Sequence, residues 1–358
     1  MNPTQRLHEL GQSVWIDTIT RTMLDDGTLA SYVEDLSVTG LTSNPTIFDK
    51  AIGGGDAYDE QITELGARGL AGEDLFFELA LTDLRRAADL FAPIHERTGG
   101  DDGWVSLEVS PELADDAAAT ITQARELHDR APGNVFIKIP GTLPGREAIE
   151  ESIFAGVPVN VTLLFSTEHY LGAADAYMRG IERRIEAGLD PGIHSVASLF
   201  VSRWDVAIGG DAGEKLRNRL GLAVGGATYA AYRELLASER WQRLAAAGAR
   251  PQRLLIASTG TKDPDASDTL YIEGLAAPDT INTVPENTLL AFADHGEVGD
   301  PIPEDGGDAQ ATLAEFRAAG VDLDELAARL QREGAEAFVN SWRDLLETVS
   351  GEREKLAT

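Results

Sequence analysis

Eight short apolar runs, stretches of helical periodicity between them, and a first run that opens into no glycine-rich loop together predict an α/β fold: a single (β/α)8 TIM barrel with additional peripheral helices. The runs are Ser13 to Asp17, Val38 to Asn44, Trp104 to Val109, Val135 to Ile139, Pro158 to Leu163, Ser195 to Phe200, Leu254 to Ser258 and Thr280 to Val284. Each is short and bounded by turn residues, as a strand buried on both faces should be. Amphipathic stretches such as Asp74 to Ile94, Leu113 to Asp129, Thr167 to Ala187 and Asn218 to Glu239 supply the helices. Strands that alternate with helices pair in parallel through right-handed crossovers, and eight such repeats point to a closed ring. The rival, a doubly wound sheet, carries G-x-G-x-x-G after its first strand; here that strand runs into Asp17, Thr18 and Thr20. Leu323 to Thr348 reads as a further helix, and helices over about 308–350 are expected to pack outside the barrel. The glycine- and proline-rich patch Gly299 to Gly307 belongs to the loop and helices after the last strand, so one domain over 1–358 is expected.

Composition narrows the function. The 60 acidic residues outnumber 30 basic ones for a net charge of −30, a field that repels nucleic-acid phosphates and anionic membranes. It also repels phosphorylated metabolites at long range, so any phosphate site must rest on a few local cations and backbone donors. With no cysteine, disulfides, thiolate catalysis and thiolate metal ligation are excluded. The six histidines (His8, His95, His128, His169, His194, His295) show no ligand spacing, so no metal and no cofactor are expected. The N-terminal segment lacks a basic stretch followed by a long apolar run, and no stretch approaches the ~20 apolar residues of a membrane span, so a cytoplasmic location is expected.

One lysine stands in an unusual place. Of the five, Lys50, Lys138, Lys215, Lys262 and Lys355, only Lys138 lies inside an apolar β run, VFIKIP. Burial there costs an ammonium its hydration and favours the neutral amine, the form that attacks carbonyl carbon. The plainer alternative is a strand-end lysine whose stem packs while its head reaches water. Its company argues against that. Polar residues recur at the C-terminal ends of the other runs: Asp17, Asn44, Glu108, Asn160, Thr162 and Ser198. Barrel enzymes build their active sites at that face. Alternation puts Ser106 with Glu108, Asn160 with Thr162, and Phe136 with Lys138, each pair on one side of its strand. Plainer roles exist here too: Asp17 could cap the following helix, and Glu108 could pair with an arginine.

The segments WIDTITR (Trp15 to Arg21), GLTSNPTIFDKAI (Gly40 to Ile52), SLEVSP (Ser106 to Pro111), VFIKIPGT (Val135 to Thr142), VNVTLLFS (Val159 to Ser166), ASLFVSRWD (Ala197 to Asp205) and ASTGTKDP (Ala257 to Pro264) resemble the transaldolase family, in the family's order. The long form, with ASTGTKDP and YIEG (Tyr271 to Gly274), is similar to the branch common in actinobacteria and cyanobacteria. The resemblance implies Schiff-base transfer of a dihydroxyacetone unit in the pentose shunt, with Lys138 as nucleophile and Asp17 as the base toward the C4 hydroxyl. Glu108 and Thr162 then hold a proton-shuttling water, and Asn44 and Asn160 bind the three-carbon fragment. For phosphate it points to Arg203 with Ser198. Better-known relatives carry a second arginine after the seventh strand, where this chain offers Lys262. Gly53 to Gly55 could cradle phosphate, but a turn before the next helix is the simpler account. The partners implied are sugar phosphates alone, bound by a monomer or homodimer.

Two rivals differ in class. An aldolase that releases dihydroxyacetone would use the same lysine, but such relatives tend to place a tyrosine where this chain has Phe200. A non-catalytic sugar-phosphate-binding barrel should lack the lysine or an acid, whereas Lys138, Asp17, Glu108 and Thr162 are all present.

Overall fold

A computed structural model describes residues 2–210 and 213–357. Its eight strands are β1 (Ser13–Ile16), β2 (Val38–Leu41), β3 (Val105–Glu108), β4 (Val135–Pro140), β5 (Val159–Leu164), β6 (Ser195–Phe200), β7 (Gln252–Ala257) and β8 (Ile281–Val284). All pair in parallel in the order β2-β1-β8-β7-β6-β5-β4-β3. Two backbone hydrogen bonds bridge the remaining seam, Leu41 N to Trp104 O at 2.9 Å and Gly103 N to Thr39 O at 3.0 Å, so the ring is nearly closed. The fold is therefore the (β/α)8 barrel with extra helices that the alternation of runs implies.

Strand ends shift by up to three residues from the sequence reading, with physical causes. β2 stops at Leu41 because Asn44 turns away to cap the helix Pro45–Gly53, its side chain accepting from Ile47 N at 3.1 Å. β7 starts two residues early, at Gln252 and Arg253, whose side chains knit the lower rim: Gln252 donates to Ser195 Oγ at 2.9 Å and Arg253 to Thr280 O at 2.9 Å. The stretch from Asn218 to Glu239 becomes two helices, Leu220–Ala237 and Glu239–Ala246, the second capped by Ser238.

Side chains plug the barrel at its N-terminal end. The rings of Trp104 and Phe136 stack at 4.0 Å, and Trp15 lies 6.3 Å from Phe136. Asp102 fixes this floor by accepting from Trp15 Nε1 at 2.7 Å and from Ser13 Oγ at 2.5 Å. Gly40 is required beside it, because a Cβ there would meet Trp15 Cε2 at 2.5 Å. Phe136 thus fills the floor while Lys138, two residues on and on the same side of β4, rises above it.

The C-terminal helix Leu323–Leu356 lies outside the ring of strands, against the helices Pro45–Gly53, Asp59–Ala67 and Gly72–Arg97. It also reaches the barrel mouth: Gln331 Nε2 donates to Leu163 O at 2.9 Å. Leu163 has φ 59° at a register shift in β5. Among the described residues, no helix is long and apolar enough to cross a membrane.

Candidate active site

The C-terminal ends of the strands surround a cavity of about 160 Å³ lined in part by Asp17, Asn44, Lys138, Thr162, Ser198, Phe200, Arg203 and Lys262. Eight of the ten residues singled out in the sequence thus line one cavity. The other two, Glu108 and Asn160, are not on the open wall. They flank Lys138 at its own level, because β-register pairs Glu108 with Lys138 and Lys138 with Asn160. Gly53 to Gly55 contribute nothing to the cavity; Gly53 ends its helix against Thr348.

Lys138 is 5% exposed, and its Nζ donates to Ser43 O at 2.8 Å and to Glu108 Oε2 at 3.3 Å. A lysine buried this far needs such partners, and among the described residues no arginine competes for Glu108. Burial pushes the Glu108 carboxyl above its ordinary range; the lysine's charge and hydrogen bond oppose this, and Asp17 reinforces it. Glu108 is therefore a better proton acceptor than a solvated glutamate.

Asp17 faces the cavity from the turn after β1. It caps no helix, since Thr20 caps Arg21–Asp25 through Met23 N at 3.1 Å. Instead its Oδ1 accepts from Thr42 Oγ1 at 2.6 Å, and Thr42 Oγ1 lies 2.7 Å from Thr283 Oγ1. Burial raises the Asp17 carboxyl, against the pull of the Thr42 hydrogen bond and the Lys138 charge.

Beneath the opening, Asn160 is spoken for: Nδ2 donates to Ser106 Oγ at 3.2 Å, and Oδ1 accepts from Ser198 Oγ at 2.7 Å. The Thr162 hydroxyl is fully buried with no hydrogen-bond partner among the described residues, although it borders the cavity. A buried hydroxyl in that state has capacity for a water or substrate oxygen. On the opposite side, Arg203 packs on the Phe200 ring, its Cζ 5.3 Å from the centroid, while Lys262 stands exposed at the rim. Among the described residues no group of His, Asp and Glu side chains is arranged to hold a metal ion.

Sequence reasoning missed Thr42, Thr283, Phe338 and the Ser43 carbonyl. Thr42 stood inside a recognised segment, two residues before Asn44, so its polarity at a strand end was a usable signal. A backbone carbonyl and a phenylalanine on a distant helix offered none.

A parallel barrel that buries an amine between carboxylates at its C-terminal mouth defines an enzyme class equipped for carbonyl chemistry. The family model for Transaldolase/Fructose-6-phosphate aldolase matches residues 14–349, and the chain belongs to that family. It is 46% identical over 359 residues to "Transaldolase" of Arthrobacter sp. (strain FB24), covering 98% of this chain and 97% of that protein. It is 46% identical over 362 residues to "Transaldolase" of Saccharopolyspora erythraea, with 98% and 97% covered. Against "Transaldolase" of Thermobifida fusca the identity is 45% over 361 residues, with 98% of each covered.

Proposed function

We propose that this chain is a transaldolase that moves a dihydroxyacetone unit from sedoheptulose 7-phosphate to glyceraldehyde 3-phosphate, releasing erythrose 4-phosphate and forming fructose 6-phosphate. The observation that carries the mechanism is the Lys138 amine, buried at the cavity wall in contact with Glu108. Lys138 Nζ gives up a proton and adds to the ketose C2 carbonyl. The carbinolamine hydroxyl then leaves as water, with protons moved through Glu108 and a water on the free Thr162 hydroxyl. The iminium draws electrons from the C3–C4 bond while the Asp17 carboxylate takes the C4 hydroxyl proton. Bond cleavage frees erythrose 4-phosphate and leaves a three-carbon enamine on Lys138. The enamine carbon attacks the incoming aldehyde, Asp17 returns its proton to the new hydroxyl, and water hydrolyses the iminium. Asn44 reaches the cavity and Asn160, with Ser198, stiffens the wall beside the amine. Arg203 and Lys262 supply positive charge for phosphate.

The reading supports a cytoplasmic enzyme acting on sugar phosphates, since charged sugars stay on the side of the membrane where they are made. Its test is chemical. Incubation with fructose 6-phosphate followed by borohydride should leave a reduced three-carbon adduct on the peptide containing Lys138, and Lys138→Met should abolish both adduct and transfer. Label on another lysine, or transfer surviving the methionine variant, overturns the assignment. The alternative of an aldolase that releases dihydroxyacetone is disfavoured by Phe200, which offers the pocket no hydroxyl; free dihydroxyacetone accumulating without an acceptor would favour it.

A further inference from the structure

Arg203 is held in an unusual way. Among the described residues it makes no hydrogen bond or salt bridge, in a chain with 60 carboxylates. Its guanidinium rests instead against two rings, with Cζ 5.3 Å from the Phe200 centroid and 6.0 Å from the Phe338 centroid. The two rings stand 6.4 Å apart with planes at 56°. Ring faces attract a cation without consuming its N–H donors, so all five remain available to an oxyanion. A carboxylate partner in the same place would occupy the fork.

Phe338 belongs to the helix Leu323–Leu356, and that helix is registered on the barrel mouth. Gln331 donates to Leu163 O at 2.9 Å, Gly334 lies one turn further, and Phe338 one turn beyond that, on the same side. Gly334 leaves room for the arginine: a Cβ there would stand 3.2 Å from Arg203 Nη1 and 3.0 Å from Leu163 Cδ2. Phe338 itself is 9% exposed and borders the cavity.

We infer that the C-terminal helix is part of the phosphate-recognition apparatus: Phe338, with the clearance at Gly334, positions Arg203 and so sets the preference for phosphorylated over unphosphorylated sugars. The inference rests on the transaldolase reading above. Phe338 is a positioning residue that does no chemistry; its ring also lies 5.9 Å from Lys138 Nζ, so its action through the guanidinium is read from the difference between the two acceptors and not from the rate with either alone.

The test compares glyceraldehyde 3-phosphate with glyceraldehyde as acceptors for a dihydroxyacetone unit taken from sedoheptulose 7-phosphate, with release of erythrose 4-phosphate as the common readout, using the full chain. Phe338→Leu keeps most of the volume and loses the ring, whereas Phe338→Tyr keeps the ring. The leucine variant should lower the preference for the phosphorylated acceptor by roughly three- to thirty-fold, the range that a desolvated cation–ring contact implies. The loss should fall on KM for the phosphorylated acceptor more than on kcat, and the tyrosine variant should recover most of it. Gly334→Ala, whose Cβ would crowd Arg203 Nη1 at 3.2 Å and Leu163 Cδ2 at 3.0 Å, should shift the preference in the same direction. Equal losses with both acceptors, or a tyrosine variant as impaired as leucine, overturn the inference. Two controls keep the parent reading separate. If the wild-type chain forms no Lys138 adduct, or if Arg203→Ala leaves the preference unchanged, the underlying reading of the site fails; if both behave as expected and Phe338→Leu does not, only the role of the helix fails.

Discussion

Replacing Thr42 with valine tests how Asp17 is kept ready to act as a base. The substitution preserves shape at a site that is 3% exposed, so no sizeable cavity forms, and it deletes the hydroxyl that donates to Asp17 Oδ1 at 2.6 Å. A hydrogen bond to a charged group contributes about 1.5–3 kcal/mol, and here it favours the ionised carboxylate over the neutral acid. The sign follows: without it the Asp17 pKa rises further, and at any pH below the acid limb a smaller fraction of enzyme holds the base in working form. At about 1.4 kcal/mol per tenfold, kcat on that limb should fall by roughly ten- to a hundred-fold, and the two enzymes should converge at higher pH. The assay is transfer from fructose 6-phosphate to erythrose 4-phosphate, with kcat profiled across pH. Thr42→Ser should retain the wild-type limb. A uniform drop at all pH values, or a limb that does not move, refutes the idea that Thr42 works through Asp17.

Other outcomes follow from the same structure. Because burial holds the folded-state pKa of Asp17 above its unfolded value, stability is lost as pH rises from the unfolded value through the folded one; Asp17→Asn should abolish transfer yet raise the melting temperature at neutral pH, with the gap closing as pH falls. Phe136→Ala should empty the barrel floor under Trp104 and cost about 3–5 kcal/mol, read from the shift in urea midpoint. With a net charge of −30, raising ionic strength from about 0.01 to 0.15 M shortens the screening length from about 30 to 8 Å and should raise the melting temperature; an unchanged or lower value would mean that screened ion pairs outweigh the repulsion.

The strands were legible because a parallel barrel strand is buried on both faces and therefore reads as an unbroken apolar run. Lys138, Glu108 and Asn160 stood out for the same reason: polarity inside such a run is costly and needs explaining. Their alignment at one level was not legible, since register between neighbouring strands leaves no mark in either strand alone. Asn44 shows a second limit. Its residue type suits both a substrate contact and a helix cap, and the structure uses its side chain as a cap while leaving it at the cavity wall. Phe338 shows a third. On its helix it is one apolar residue in an amphipathic pattern, and nothing local distinguishes it from Leu345, which is buried in the packing. Only tertiary geometry, with Gln331 seating the helix on the mouth, separates the two.

Taken together, these placements explain how a strongly acidic chain can hold phosphorylated sugars. At long range the field opposes the substrate, but the screening length at physiological salt is about 8 Å, so attraction close to the mouth decides binding. There the acids that matter are committed inward: Glu108 is paired with Lys138, and Asp17 is tied to Thr42. The cation facing them keeps its donors free, because rings hold Arg203 and, among the described residues, no carboxylate bonds to it, Glu333 acting on it only through space. Replacing Phe338 with glutamate would remove that separation by placing a charge within reach of the guanidinium, and phosphate recognition should then be lost more completely than with leucine.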